Sequence, residues 1–194
     1  MLTLFASHGR ALGLATLAAT ATFAIFYLMT VFSLSWAISH LGYTQPRMLL
    51  IQVLGMLLLA PMVSLSAVLA DRSSPRLILL LGLQAVIVFG AGFGALLGSK
   101  TPGGMIVFMF VGLGLAGFLY GPLGTALGEL FPAPVRYTRI SLASNLASVL
   151  GASLTLYIAT WLATNHGIAS VGHYLSSVAV LSLIALLLIS QREE

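Results

Sequence analysis

Four polar side chains stand in long apolar stretches of this chain: Tyr27, Gln52, Tyr120 and Asn145. Amide and phenol groups in such surroundings need hydrogen-bond partners, because hydrocarbon supplies none. A bond to a neighbouring helix satisfies them, and so does the wall of a polar cavity holding a small polar solute. Ser141, Asn145 and Ser148 recur at helical spacing and share a face, and Thr20, Tyr27 and Thr30 lie close to one face of an earlier stretch. A second set is charged and sits in short segments between apolar runs: Asp71, Arg72 and Arg76, then Glu129 and Arg136. Charges at helix ends can pair in one conformation and release in another, which is a gate, or remain surface pairs worth about 0–1 kcal/mol. Glu129 and Arg136 flank Phe131-Pro132-Ala133-Pro134, a rigid turn across which they are placed to pair.

Other chemistries are disfavoured. The chain has no cysteine, so thiolate metal sites, disulfides and cysteine nucleophiles are excluded. His8, His40, His166 and His173 fall at the ends of apolar runs or between them, and no metal or cofactor is expected. Gly151-Ala152-Ser153-Leu154 has the outline of a serine nucleophile turn with His173 as base. Ser153 lies well inside its apolar run, however, while His173 lies near the outer end of the next, and a base must reach its nucleophile. The chain is not expected to be an enzyme.

These residues must be positioned by helices in a bilayer. Of the 194 residues, 59% are hydrophobic and only 6% charged, whereas a soluble domain carries about a quarter charged residues to cover itself. Runs free of Asp, Glu, Lys and Arg are long enough to cross hydrocarbon, which takes about 20 apolar residues. Six spans are expected, at approximately 12–38, 46–69, 76–98, 104–128, 137–163 and 171–190, with Asn165-His166-Gly167 as the turn between the last two. The chain divides into an N-terminal segment 1–11, a six-helix bundle 12–190 and a tail 191–194. Glycines in the third and fourth spans, with Pro61 and Gly121-Pro122, suit close helix packing or a hinge.

Six basic residues, Arg10, Arg72, Arg76, Arg136, Arg139 and Arg192, fall on the side holding both termini, against Arg47 and Lys100 on the other. The positive-inside rule places the first side, with both termini, in the cytoplasm. The net charge of +4 is too scattered for a nucleic-acid face.

The segment Ala67-Val-Leu-Ala-Asp71-Arg72-Ser-Ser-Pro-Arg76 resembles the second, degenerate copy of the loop signature of the major facilitator superfamily. A longer run carries more of the likeness: Gly121-Pro122, Glu129-Leu130-Phe131-Pro132, Val135-Arg136-Tyr137-Thr138, Asn145-Leu-Ala-Ser148 and Ile158-Ala-Thr-Trp161. It is similar to the tenth and eleventh helices of the metabolite:proton symporters, the branch with proline/betaine, shikimate and α-ketoglutarate carriers. Arg139 stands where that branch usually has glycine, and Ser144 where an aromatic residue is common.

The resemblance implies an all-α fold equivalent to the C-terminal six-helix bundle of a twelve-helix transporter in a bacterial cytoplasmic (inner) membrane. It implies alternating access for a small polar metabolite, with protons as co-substrate and a missing N-terminal six-helix half as partner. Tyr27, Gln52, Tyr120 and Asn145 would line the cavity, and Asp71, Arg72, Arg76, Glu129 and Arg136 would gate it. A half-size facilitator pairing with a second copy of itself, and a truncated membrane protein that transports nothing, are the alternatives.

Overall fold

The computed structural model describes residues 2–98, 101–132 and 134–190. The tail at 191–194, with Arg192, Glu193 and Glu194, lies outside the described residues, as do Lys100 and Ala133. Six helices are long and apolar enough to cross a membrane: α1 (Gly9–His40), α2 (Gln45–Arg72), α3 (Pro75–Leu97), α4 (Gly103–Gly128), α5 (Arg136–His166) and α6 (Ile168–Ile189). The described residues contain no strand. Helical backbone begins ahead of α1, at Leu2.

Local sequence explains the boundaries. Pro46, Pro75 and Pro102 open helices at the position where a missing N–H costs nothing. The Thr101 hydroxyl accepts from the Gly104 N–H at 3.2 Å and caps the start of the fourth helix. Gly42 and Gly167 take φ of 75° and 84°, a conformation costly for residues with a Cβ, and so turn the chain between α1 and α2 and between α5 and α6.

Packing puts α1 and α4 at the centre. In their most apolar stretches 61% and 56% of residues are buried, against 17% for α2 and 33% for α5, so the latter two are peripheral. α2 lies along α4, α3 along α6 and α4, and α1 along α5, α6 and α4. Phe89, Phe93 and Phe108 form the aromatic core between α3 and α4, with Phe93 and Phe108 edge to face at 4.9 Å.

The glycines let backbones touch. Gly117 lies against the Leu59 carbonyl, and Gly121 against the Val63 carbonyl and the Ser66 hydroxyl. Gly90 faces Gly172 and Ser176, and Gly94 faces Ala169. These are small-residue crossings of the kind that hold helices together in lipid. Packing therefore accounts for Gly117 and Gly121, although Gly124 has nothing within 4 Å of where a Cβ would stand. α2 and α4 continue through Pro61 and Pro122 without interruption.

Hydroxyl groups stitch the bundle at three depths. The Ser182 hydroxyl of α6 enters the backbone ladder of α1, donating to the Leu17 carbonyl at 2.6 Å and accepting from the Ala21 N–H at 3.2 Å. Ser176 donates to the Ile87 carbonyl at 2.9 Å and ties α6 to α3. Two turns are widened to π geometry, Leu28–Phe32 in α1 and Val149–Leu154 in α5. Side chains add to carbonyls in these turns: the Ser33 hydroxyl donates to Leu28 at 2.8 Å, beside the Ser33 N–H, and Thr155 donates to Leu150 at 3.3 Å. Thr155 also meets the Tyr174 hydroxyl of α6 at 3.1 Å.

Candidate functional site

The residues singled out as cavity walls are only partly gathered. On α1, Phe26 packs edge to face on Tyr27 at 5.6 Å and on Tyr120 of α4 at 5.7 Å, and Phe23 meets Tyr120 at 5.8 Å. Tyr27 and Tyr120 thus flank one aromatic pair, both half-buried, where the two central helices meet. Phe23 and Phe26 were not expected here, because an apolar ring in an apolar run carries no sequence signal of its role. Asn145 projects exposed from α5, with Ser141 exposed on the same face and Ser148 half-buried. α5 reaches α1 through Gly151, which lies against the Thr20 carbonyl, the Ala24 N–H and Phe23.

Gln52 is at a different depth. Gly121, next to Tyr120, meets α2 at Val63 and Ser66. Gln52 is therefore about eleven residues further along α2, or roughly 16 Å at 1.5 Å per residue. Its Oε1 is buried with no hydrogen-bond partner. The geometry joins Tyr27 to Tyr120 and leaves Gln52 towards the opposite end of the bundle.

The charged residues collect where α2 and α4 end and α3 and α5 begin. Asp71 and Arg72 are exposed at the end of α2. Glu129 pairs with Arg76 of α3, Oε2 to Nε at 3.8 Å, and not with Arg136 across the Phe131–Pro134 turn. Arg136 instead donates from Nε to the Phe131 carbonyl at 3.1 Å, which its five-residue separation and the bend of the turn permit. The observed pair is sensible electrostatically. A cation at a helix start and an anion at a helix end each oppose the local dipole, and each offsets the other's penalty. With the Glu129 side chain 43% exposed, Glu129→Gln is expected to lower stability by less than about 1 kcal/mol, an effect that fades in high salt. Thermal melts at low and high ionic strength, with Arg76→Gln and the double variant, measure it.

Arg139, set aside as a departure from the family pattern, is the one charged side chain among the described residues that is buried, at 6% exposure. At the opposite end, Arg47 lies over the Tyr43 ring at 5.8 Å. Between the C-terminal parts of α1 and α5 is a shallow crevice of about 170 Å³, lined by Phe32, Trp36, His40, Leu156 and Thr160 among others. Trp36 and His40 stack at 3.8 Å within it.

No protein-family model matches the chain. Among curated proteins, the inner membrane metabolite transport protein YhjE of Escherichia coli K12 is 42% identical over 96% of the chain and 43% of its own length. The chain is similar to bacterial transport proteins. The proline/betaine transporter of Escherichia coli K12 is 29% identical over 84% of the chain and 33% of its own length. The glycine betaine/proline/ectoine/pipecolic acid transporter OusA of Dickeya dadantii is 26% identical over the same shares. The chain thus spans less than half the length of these relatives.

Proposed function

We propose that the chain is the C-terminal half of a secondary transporter of the bacterial inner membrane, moving a small polar metabolite by alternating access with both termini in the cytoplasm. The observation that carries this reading is 42% identity, along nearly the whole chain, to a protein named as an inner membrane metabolite transporter. In such folds the substrate lies near the midplane between two six-helix halves that rock around it. Tyr27 and Tyr120 form one wall of the cavity, joined through Phe26, and Asn145 with Ser141 supplies a hydrogen-bonding face on α5. Gln52 lies nearer the outer mouth. Arg76 with Glu129, and Asp71 with Arg72, form the cytoplasmic gate. The complete protein is a proton symporter whose coupling groups lie outside this chain, because the acids here, Asp71, Glu129, Glu193 and Glu194, are all remote from the middle of a span.

Cysteine chemistry tests the cavity, since the chain has no cysteine to confuse it. Asn145 and Val88 are both exposed on the bundle, Val88 at 73%. A thiol reacts with a water-soluble maleimide as thiolate, which forms in water and not in lipid. Asn145→Cys is expected to react at least about ten times faster than Val88→Cys in membranes, since burial in apolar surroundings suppresses the thiolate. Equal rates for the two positions would remove the cavity reading.

A further inference from the structure

The guanidinium of Arg139 cannot shed its charge, and it is buried with Nη1 lacking any hydrogen-bond partner. It lies over the Phe131 ring, 5.6 Å from the centroid, an attraction that gives Nη1 no hydrogen-bond acceptor. The two acids among the described residues are elsewhere, Glu129 facing Arg76 and Asp71 exposed at the end of α2. A lone buried cation is strongly unfavourable unless an anion accompanies it.

Further donors stand near it along the chain. Arg139 is the fourth residue of α5, whose Val135 cap offers no side-chain hydrogen bond to the first-turn N–H groups. That end of the helix carries the positive pole of the macrodipole. Arg136, three residues earlier and so on the same face, is exposed and anchored through Nε to the Phe131 carbonyl.

We propose that Arg139, Arg136 and the uncapped first turn of α5 form a phosphate site, and that a phospholipid headgroup fills it. Two features favour lipid over a soluble ion. The site lies at the first turn of a helix long and apolar enough to cross a membrane, and the end of such a span falls at the level of the headgroups. It also belongs to α5, one of the two peripheral helices. The inference needs the bilayer but not the transport reading.

The test uses the full 194-residue chain reconstituted in phosphatidylcholine vesicles, with and without phosphatidylglycerol, and melting followed by the fluorescence of Trp36 and Trp161. Phosphatidylglycerol is expected to raise the midpoint of the wild type by about 5 °C. Arg139→Met is expected to melt no lower than wild type in phosphatidylcholine and to lose the shift. Arg136→Gln keeps a smaller one, and serves if Arg139→Met does not fold. Native mass spectrometry counts retained phosphatidylglycerol independently of melting. If inorganic phosphate added to phosphatidylcholine vesicles reproduces the shift in an Arg139-dependent way, the phosphate site stands and its occupant is a soluble ion. A full shift in Arg139→Met overturns the site. So does a wild type indifferent to both phosphate sources, which assigns the guanidinium to a protein carboxylate.

Discussion

Gly172→Leu is expected to abolish the folded bundle. A Cβ at Gly172 would run into the Gly90 carbonyl oxygen and stand 2.5 Å from the Phe93 Cβ, and neither can swing away as a flexible side-chain end would. Even alanine there is expected to cost about 1–3 kcal/mol, the usual range for overpacking, and leucine more. α3 and α6 would have to separate along a contact that also holds Gly94 against Ala169 and the Ser176 bond to Ile87. Lipid gives separated helices little reason to rejoin, since association there depends on close packing. The measurement is the monodisperse fraction on size-exclusion chromatography after mild heating in detergent. Gly124→Leu is the control, because nothing lies within 4 Å of its Cβ position. Equal loss in both variants would show that leucine at any helical glycine is harmful, and the α3–α6 contact would lose its special standing.

The second large effect is functional. The 194-residue chain, reconstituted alone and given an inward proton gradient, is expected to show no accumulation of a small polar metabolite above equilibrium. Coupling a proton to a solute requires a group that titrates within the transport path, and intramembrane ionisable residues are the usual candidates. Asp71 and Glu129 are at helix ends, and Tyr27 and Tyr120, which both pack on Phe26, are proposed as one wall of a cavity completed by a second half. Gradient-driven uptake by the chain alone would mean that six helices suffice, and the proposal of a complementary half would fall.

The six helices were legible because the bilayer imposes a length rule on apolar runs, and prolines, glycines and the Asn165–Gly167 turn mark their ends. The approach of Gly117 and Gly121 to a neighbour was legible too, as small residues one turn apart have few other uses in lipid. Pairing was not. Glu129 and Arg136 are adjacent across a short turn in the sequence, yet Glu129 reaches Arg76, more than fifty residues away, because α3 and α4 pack side by side. The grouping of Phe23 and Phe26 with Tyr120 depends on which faces of α1 and α4 meet, and uniformly apolar helices do not announce their faces. Arg139 was visible as an unusual residue, but its burial came only with the docking of α5.

The two widened turns give α1 and α5 a phase as well as a length. Each spends one more residue on a turn than an α-helix would, so everything beyond it is rotated by about 100° relative to an unbroken helix. Trp36 and His40 in α1, and Thr160 in α5, face one another across their crevice only because both helices carry this offset. Loss of a single codon in Leu28–Phe32 would thus turn the C-terminal end of α1 away from α5 while leaving its N-terminal part, and the Ser182 bridge to α6, in register. In this molecule, the spacing of residues along a helix is an angular coordinate, and small insertions or deletions act as a dial on which face meets which.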